Sequence, residues 1–196
     1  MATRTIVYNF IKEQAQIIQT LMEGRVIDVV EWFCYPPFGT VDIKKFADVE
    51  YRIEGTHGLG QEIYDRVYQC YPVFLDMQQR RYPYFQNTLY DLLNDFNRQF
   101  GAVYSLLMEA KPQLVLFGNI PHGGHDLLLY EVSRALGVKT MILFQVPVCA
   151  RFFIVSDLED FGVFRSYPNP DNEELLPIPE IKTPFYARAA PRTRGG

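Results

Sequence analysis

The chain has no apolar run approaching the roughly 20 residues that cross a bilayer, so no transmembrane segment is expected. Cysteine is scarce. Cys34, Cys70 and Cys149 are odd in number, far apart and outside any CxxC spacing, which argues against a disulfide framework and for buried thiols in a reducing compartment. Basic charge is also in short supply: 19 Lys and Arg face 23 Asp and Glu, for a net charge of -4. Nucleic acid is therefore not expected as the main partner, because binding a duplex rests on clustered cations. The stretch Met1 to Phe10 has too short a hydrophobic region, and no small-residue cleavage site, for a signal peptide. These absences together lead to the expectation of a cytoplasmic protein. No GxSxG is present, and the cysteines have no neighbouring base in sequence, so nucleophilic catalysis has no support.

What is present suits an ordinary folded unit. Hydrophobic residues make up 48% and charged residues 21% of 196 positions, enough for a core and for one or at most two domains. Aromatics reach 15%, and Tyr35, Tyr71, Tyr82 and Tyr167 each precede a proline. Such rings can stack on sugars, although packing is their commoner use.

The clearest stretch runs from Pro112 to Gly137. Leu114–Phe117 is an uninterrupted apolar run, as in a strand buried on both faces. Turn formers follow from Gly118 to Gly124. Leu128, Leu129, Val132, Ala135 and Leu136 then recur at helical spacing over Asp126–Leu136, with Gly137 as the stop. Val138–Phe144 resumes as a strand, completing a βαβ unit of a parallel sheet. The chain opens with another such unit: a strand at Thr5–Tyr8, a helix from Ile11 to Gly24 and a strand over Arg25–Phe33.

Between these units, Val49–Ile53 alternates and is expected as a third strand, followed by a turn-rich loop from Gly55 to Gly60. Helices are expected from Gln61, from Pro72 and over Thr88–Ala110, where Gly101 marks a bend or a close approach. A strand at Arg151–Val155 and an acidic turn at Ser156–Gly162 follow. Six prolines fall beyond Ser166. The expectation is a Rossmann-like, three-layer α/β domain over 1–165, with a mainly parallel sheet, and an extended proline-rich arm over 166–196.

The best chemical candidate is the loop His122-Gly123-Gly124-His125-Asp126, at the carboxyl end of a strand, where ligands gather in open parallel sheets. An imidazole titrates near neutrality and can take a proton from an alcohol, while Asp126 can orient that ring or itself act as base. Paired glycines let a ligand approach the backbone, and a helix start offers N–H groups to an anion. The plainer alternative is that Asp126 caps its helix and the glycines only make the turn. A metal is not expected, because the intervening glycines deny the rigid face that HExxH provides. Gly55–Gly60 with His57 matches neither GxGxxG nor a P-loop and is taken as a plain loop. Asp157, Glu159 and Asp160 have cation-ligand chemistry, but a solvated acidic turn is the usual meaning.

The run FGNIPHGGHDLLLYEVSRALGVKTMILFQVPVCARFFIVSDLEDFG, Phe117 to Gly162, resembles the N-terminal half of bacterial surface-polysaccharide (capsule-type) glycosyltransferases. The likeness lies in a P-H-(E/G)-G-x-D loop, an LYEVAKALGIKT-like helix and strand, and an RFF…D.EDFG-like segment. The opening TIVYNFIKEQAQIIQTLMEGRVIDVVEWFCY is similar to their first βαβ unit. That resemblance implies an acceptor-side domain of the GT-B arrangement, with His122 as candidate base and Asp126 as supporting carboxylate. Asn119, Gly123, Gly124, His125 and Arg151 are the candidate substrate contacts. It implies no cofactor, a nucleotide-sugar donor as substrate, an acceptor saccharide and a second, donor-binding domain in cis or in trans. It also implies a location in the cytoplasm or peripheral to the inner membrane. Gly123 stands where many relatives have an acid, and no second nucleotide-binding domain follows Gly162. Charge stabilisation at the leaving group is often the largest catalytic contribution, so residues 1–196 alone are expected to turn over a nucleotide sugar poorly. The competing expectations are a non-catalytic sugar-binding or small-molecule-binding module, and an interaction domain that docks a partner through its arm.

Overall fold

A computed structural model describes residues 1–11, 13–47, 60–81, 88–146 and 151–160. Its centre is a six-stranded sheet of order β3-β2-β1-β4-β5-β6, made of β1 (Thr3–Tyr8), β2 (Ile27–Cys34), β3 (Val41–Asp42), β4 (Leu114–Phe117), β5 (Lys139–Val146) and β6 (Arg151–Val155). Neighbours from β3 through β5 pair in parallel, and β6 alone is antiparallel. The fold is thus the expected Rossmann-like α/β sheet.

Strand alternation sorts the side chains between two faces. On one face Val7, Ile27 and Leu116 meet Ile18 of α1 (Glu13–Glu23), with Leu21 and Trp32 packed alongside. On the other, Ile6, Tyr8, Val115, Phe117 and Ile142 join the main core with five helices. These are α2 (Ile43–Ala47), α3 (Gln61–Val67), α4 (Tyr71–Arg81), α5 (Leu89–Ala110) and α6 (Gly124–Ala135).

The aromatics pack. Tyr64, Tyr68 and Tyr71 stack in sequence, and Phe74 meets Phe96 edge-on at 5.2 Å between ring centroids. Such pairs add about 0.5–1.5 kcal/mol beyond area burial. Thr88 closes the start of α5 in a reciprocal cap, its hydroxyl accepting from the Asp91 N–H while the Asp91 carboxylate accepts from the Thr88 N–H. Gly101 marks no close approach: a Cβ built there finds nothing within 4 Å.

Most sequence-derived boundaries agree with the structure to within one to three residues. Helix α6 begins two residues earlier than expected, at Gly124, because the loop before it is pinned from inside. The strand next to β2 is Val41–Asp42. The expected strand at Val49–Ile53, the loop at Gly55–Leu59 and the arm at 166–196 lie outside the described residues.

Candidate functional site

Strands β1 and β4 lie side by side, and their following connections diverge to opposite faces of the sheet, toward α1 and α6. This is the switch point at which open α/β sheets form their crevice. The two connections meet at backbone distance. The Gly118 N–H donates to the Tyr8 carbonyl at 2.8 Å, and the Asn9 N–H donates to the Phe33 carbonyl at 2.8 Å. A Cβ at Gly118 would collide with the Asn9 carbonyl, so glycine is required there. Asn9 itself takes a left-handed backbone, φ 59°. The Cys34 thiol donates to the Phe10 carbonyl at 3.2 Å, tying the connection after β1 to β2.

His122 lies in the loop after β4, with its side chain 67% exposed. Its Nδ1 is 2.8 Å from the Ile120 carbonyl, which can only accept, so Nδ1 carries the proton. In the neutral ring this leaves the lone pair on Nε2. Asn119 turns its side-chain oxygen back on the loop, accepting from the Ile120 N–H at 2.8 Å. Its amide NH₂ remains a donor on an exposed residue.

Asp126 is held by the backbone of the loop. It is 2% exposed, and it accepts from three backbone amides: Gly123 at 2.7 Å, Leu127 at 2.8 Å and His122 at 3.1 Å. Burial pushes its carboxyl upward, against the pull of these amides and of the nearby His122 ring. The ring is 3.7 Å from the carboxylate and is already bonded to Ile120, so Asp126 orients the loop backbone rather than the imidazole. A sealed carboxylate cannot reach a substrate hydroxyl, which removes it as a base.

The glycines divide in function. Gly123 is half-buried at the start of α6, and it has no side chain with which to cap the helix. Gly124 is buried, and a Cβ there would strike the Phe74 ring at 2.5 Å and the Gln78 amide at 2.7 Å. Its smallness serves the approach of α4 to α6, not a ligand. His125 turns inward as well: its Nε2 is 2.6 Å from the Tyr8 hydroxyl, and its ring meets Phe46 edge-on. This pairing, which sequence reasoning missed, joins residues 117 positions apart. The Arg151 backbone pairs with Val146 at the carboxyl edge of the sheet, but its side chain lies outside the described residues.

Other sequence candidates resolve without a site. Arg134 on α6 holds the acidic turn, reaching Glu159 at 2.9 Å and Asp157 at 3.5 Å, which gives those carboxylates a cation of the chain's own. Among the described residues no group of three His, Cys, Asp or Glu is arranged to hold a metal. Cys70 is pushed up to about 12, by burial first and then by the Glu131 carboxylate, so it is a thiol at neutral pH. No described helix is long and apolar enough to cross a membrane. His57 and Cys149 lie outside the described residues. No family model, curated protein or solved structure matches the chain.

Proposed function

We propose that this chain is the acceptor-binding domain of a glycosyltransferase of bacterial surface-polysaccharide biosynthesis, with His122 as the general base. The observation that carries the reading is the state of that imidazole. It is exposed at the carboxyl end of β4 beside the switch point, its Nδ1 proton is committed to the Ile120 carbonyl, and its Nε2 lone pair is available. Such a group takes the proton from an acceptor hydroxyl as the glycosidic bond forms, a contribution of about 10²–10⁴ in rate. Asp126 supports it at one remove, by fixing the backbone of the loop. Asn119 offers a donor next to it, and a donor-binding domain supplies the charge for the leaving phosphates.

The engagement of Asp126 with three loop amides favours a second reading, a sugar-binding module without chemistry, because its carboxylate stands 3.7 Å from the imidazole rather than in hydrogen-bond contact with it. One experiment separates the two. The isotope-labelled chain is titrated with fragments of surface polysaccharides, and transfer is assayed with the donor-binding partner for wild type and His122→Gln. The proposal expects amide shifts at Asn119, His122 and Gly123, and transfer reduced about 10²–10⁴-fold by the substitution. Equal transfer by the variant overturns the base assignment, binding with no transfer by wild type supports the module, and saccharides that move none of these amides overturn both.

A further inference from the structure

We infer a second binding site at the opposite end of the sheet, built for a ligand that carries two or more phosphoryl groups. An open concavity of about 810 Å³ lies at the amino ends of β1 and β2, lined by Arg4, Arg25 and Lys111 with Asp28 and Gln113. That volume is within the range of small-molecule sites. Strand β1 separates it from the His122 crevice by six residues, roughly 20 Å.

The charge there runs against the rest of the molecule. In a chain of net charge -4, three cations from three separate segments converge on one hollow and face one carboxylate, Asp28. Arg4 is fixed in place: one guanidinium nitrogen donates to the Ala110 carbonyl at 2.8 Å, leaving the rest of its donor fork for a ligand. Arg25 and Lys111 are exposed, and neither side chain is paired with a carboxylate among the described residues.

Their backbones supply an independent sign. Arg25 follows α1 and Lys111 closes α5, and both adopt left-handed conformations, φ 54° and 45°. Glycine usually fills such positions because it takes that conformation without strain. Here both carry a long cation instead, and both cations line the same hollow. A cation also favours the negative end of a helix, so capping alone predicts that removing these side chains destabilises the protein. Glycine relieves the backbone in either case, so what the ligand proposal adds is that binding suffers.

The test follows from that difference. The whole chain and its Arg25→Gly/Lys111→Gly variant are titrated with inorganic pyrophosphate at low salt, followed by amide shifts, and their melting temperatures are compared. We expect saturable shifts at Arg4, Arg25, Lys111 and Gln113, binding weakened about tenfold or more in the variant, and an equal or higher melting temperature. Lys111→Gln, which keeps length and loses charge, gives a second comparison. Flotation with phosphatidylcholine vesicles containing a phosphoinositide bisphosphate, against phosphatidylcholine alone, distinguishes a lipid headgroup from a soluble phosphate ester. Failure to bind in either arm overturns the site. So does binding that the substitutions leave unaltered, and a lower melting temperature with unaltered binding assigns the cations to helix capping alone.

Discussion

Single residues in this chain owe their identity to what stands beside them in space. Gly101 and Gly124 are both helical, yet one looks onto open space and the other onto the Phe74 ring. Gly101→Ala is expected to stabilise by about 0.5–1 kcal/mol, because alanine loses less backbone entropy on folding. Gly124→Ala is expected to destabilise by about 1–3 kcal/mol, the usual cost of overpacking a core. Urea melts of the two variants check this, and shifts of the same sign would refute the contrast. Asp126 teaches the same lesson. Its place at the start of a helix was legible, but whether its carboxylate faced a ligand or three amides was not, since that depends on how the loop folds over it.

Among the elements, α5 shows how a helix end depends on one carboxylate. The Thr88 hydroxyl and backbone N–H hold the Asp91 carboxyl below the usual carboxylate range. A folded-state value below the unfolded one gives stability that is present above about pH 3.9 and lost as pH falls through the folded value. Protection of the Asp91 and Leu92 amides, taken relative to intrinsic exchange at each pH, is therefore expected to fall below about pH 4, while the middle of α5 stays protected. Uniform exchange along the helix across that range would refute it. The β1–α1–β2 and β4–α6–β5 units were readable because apolar runs alternate with helical spacing and glycine stops. Strand β3 was not, because two residues, Val41 and Asp42, carry no period. The Tyr8–His125 bond had no sequence signal either, since it forms only once α6 lies beside the end of β1.

At the scale of the whole molecule, the described elements cover the sheet unevenly. Among the described residues five helices pack on one face and α1 on the other, and β6 is the last strand, with Phe153 and Ile154 exposed, the latter by 63%. An exposed apolar edge strand is a template for pairing with another chain. Ile154→Lys is accordingly expected to reduce concentration-dependent association measured by light scattering, with little change in melting temperature. Unchanged scattering would show that this edge is not the contact.

The reversal of β6 has a topological outcome. Having turned at the carboxyl edge near Arg151, the chain travels back along the sheet and is fastened by Arg134 and Tyr130 at Asp157–Glu159. Its exit from the sheet is therefore a strand's length from His122, at the far rim. The connections after β1 and β4, by contrast, border the crevice.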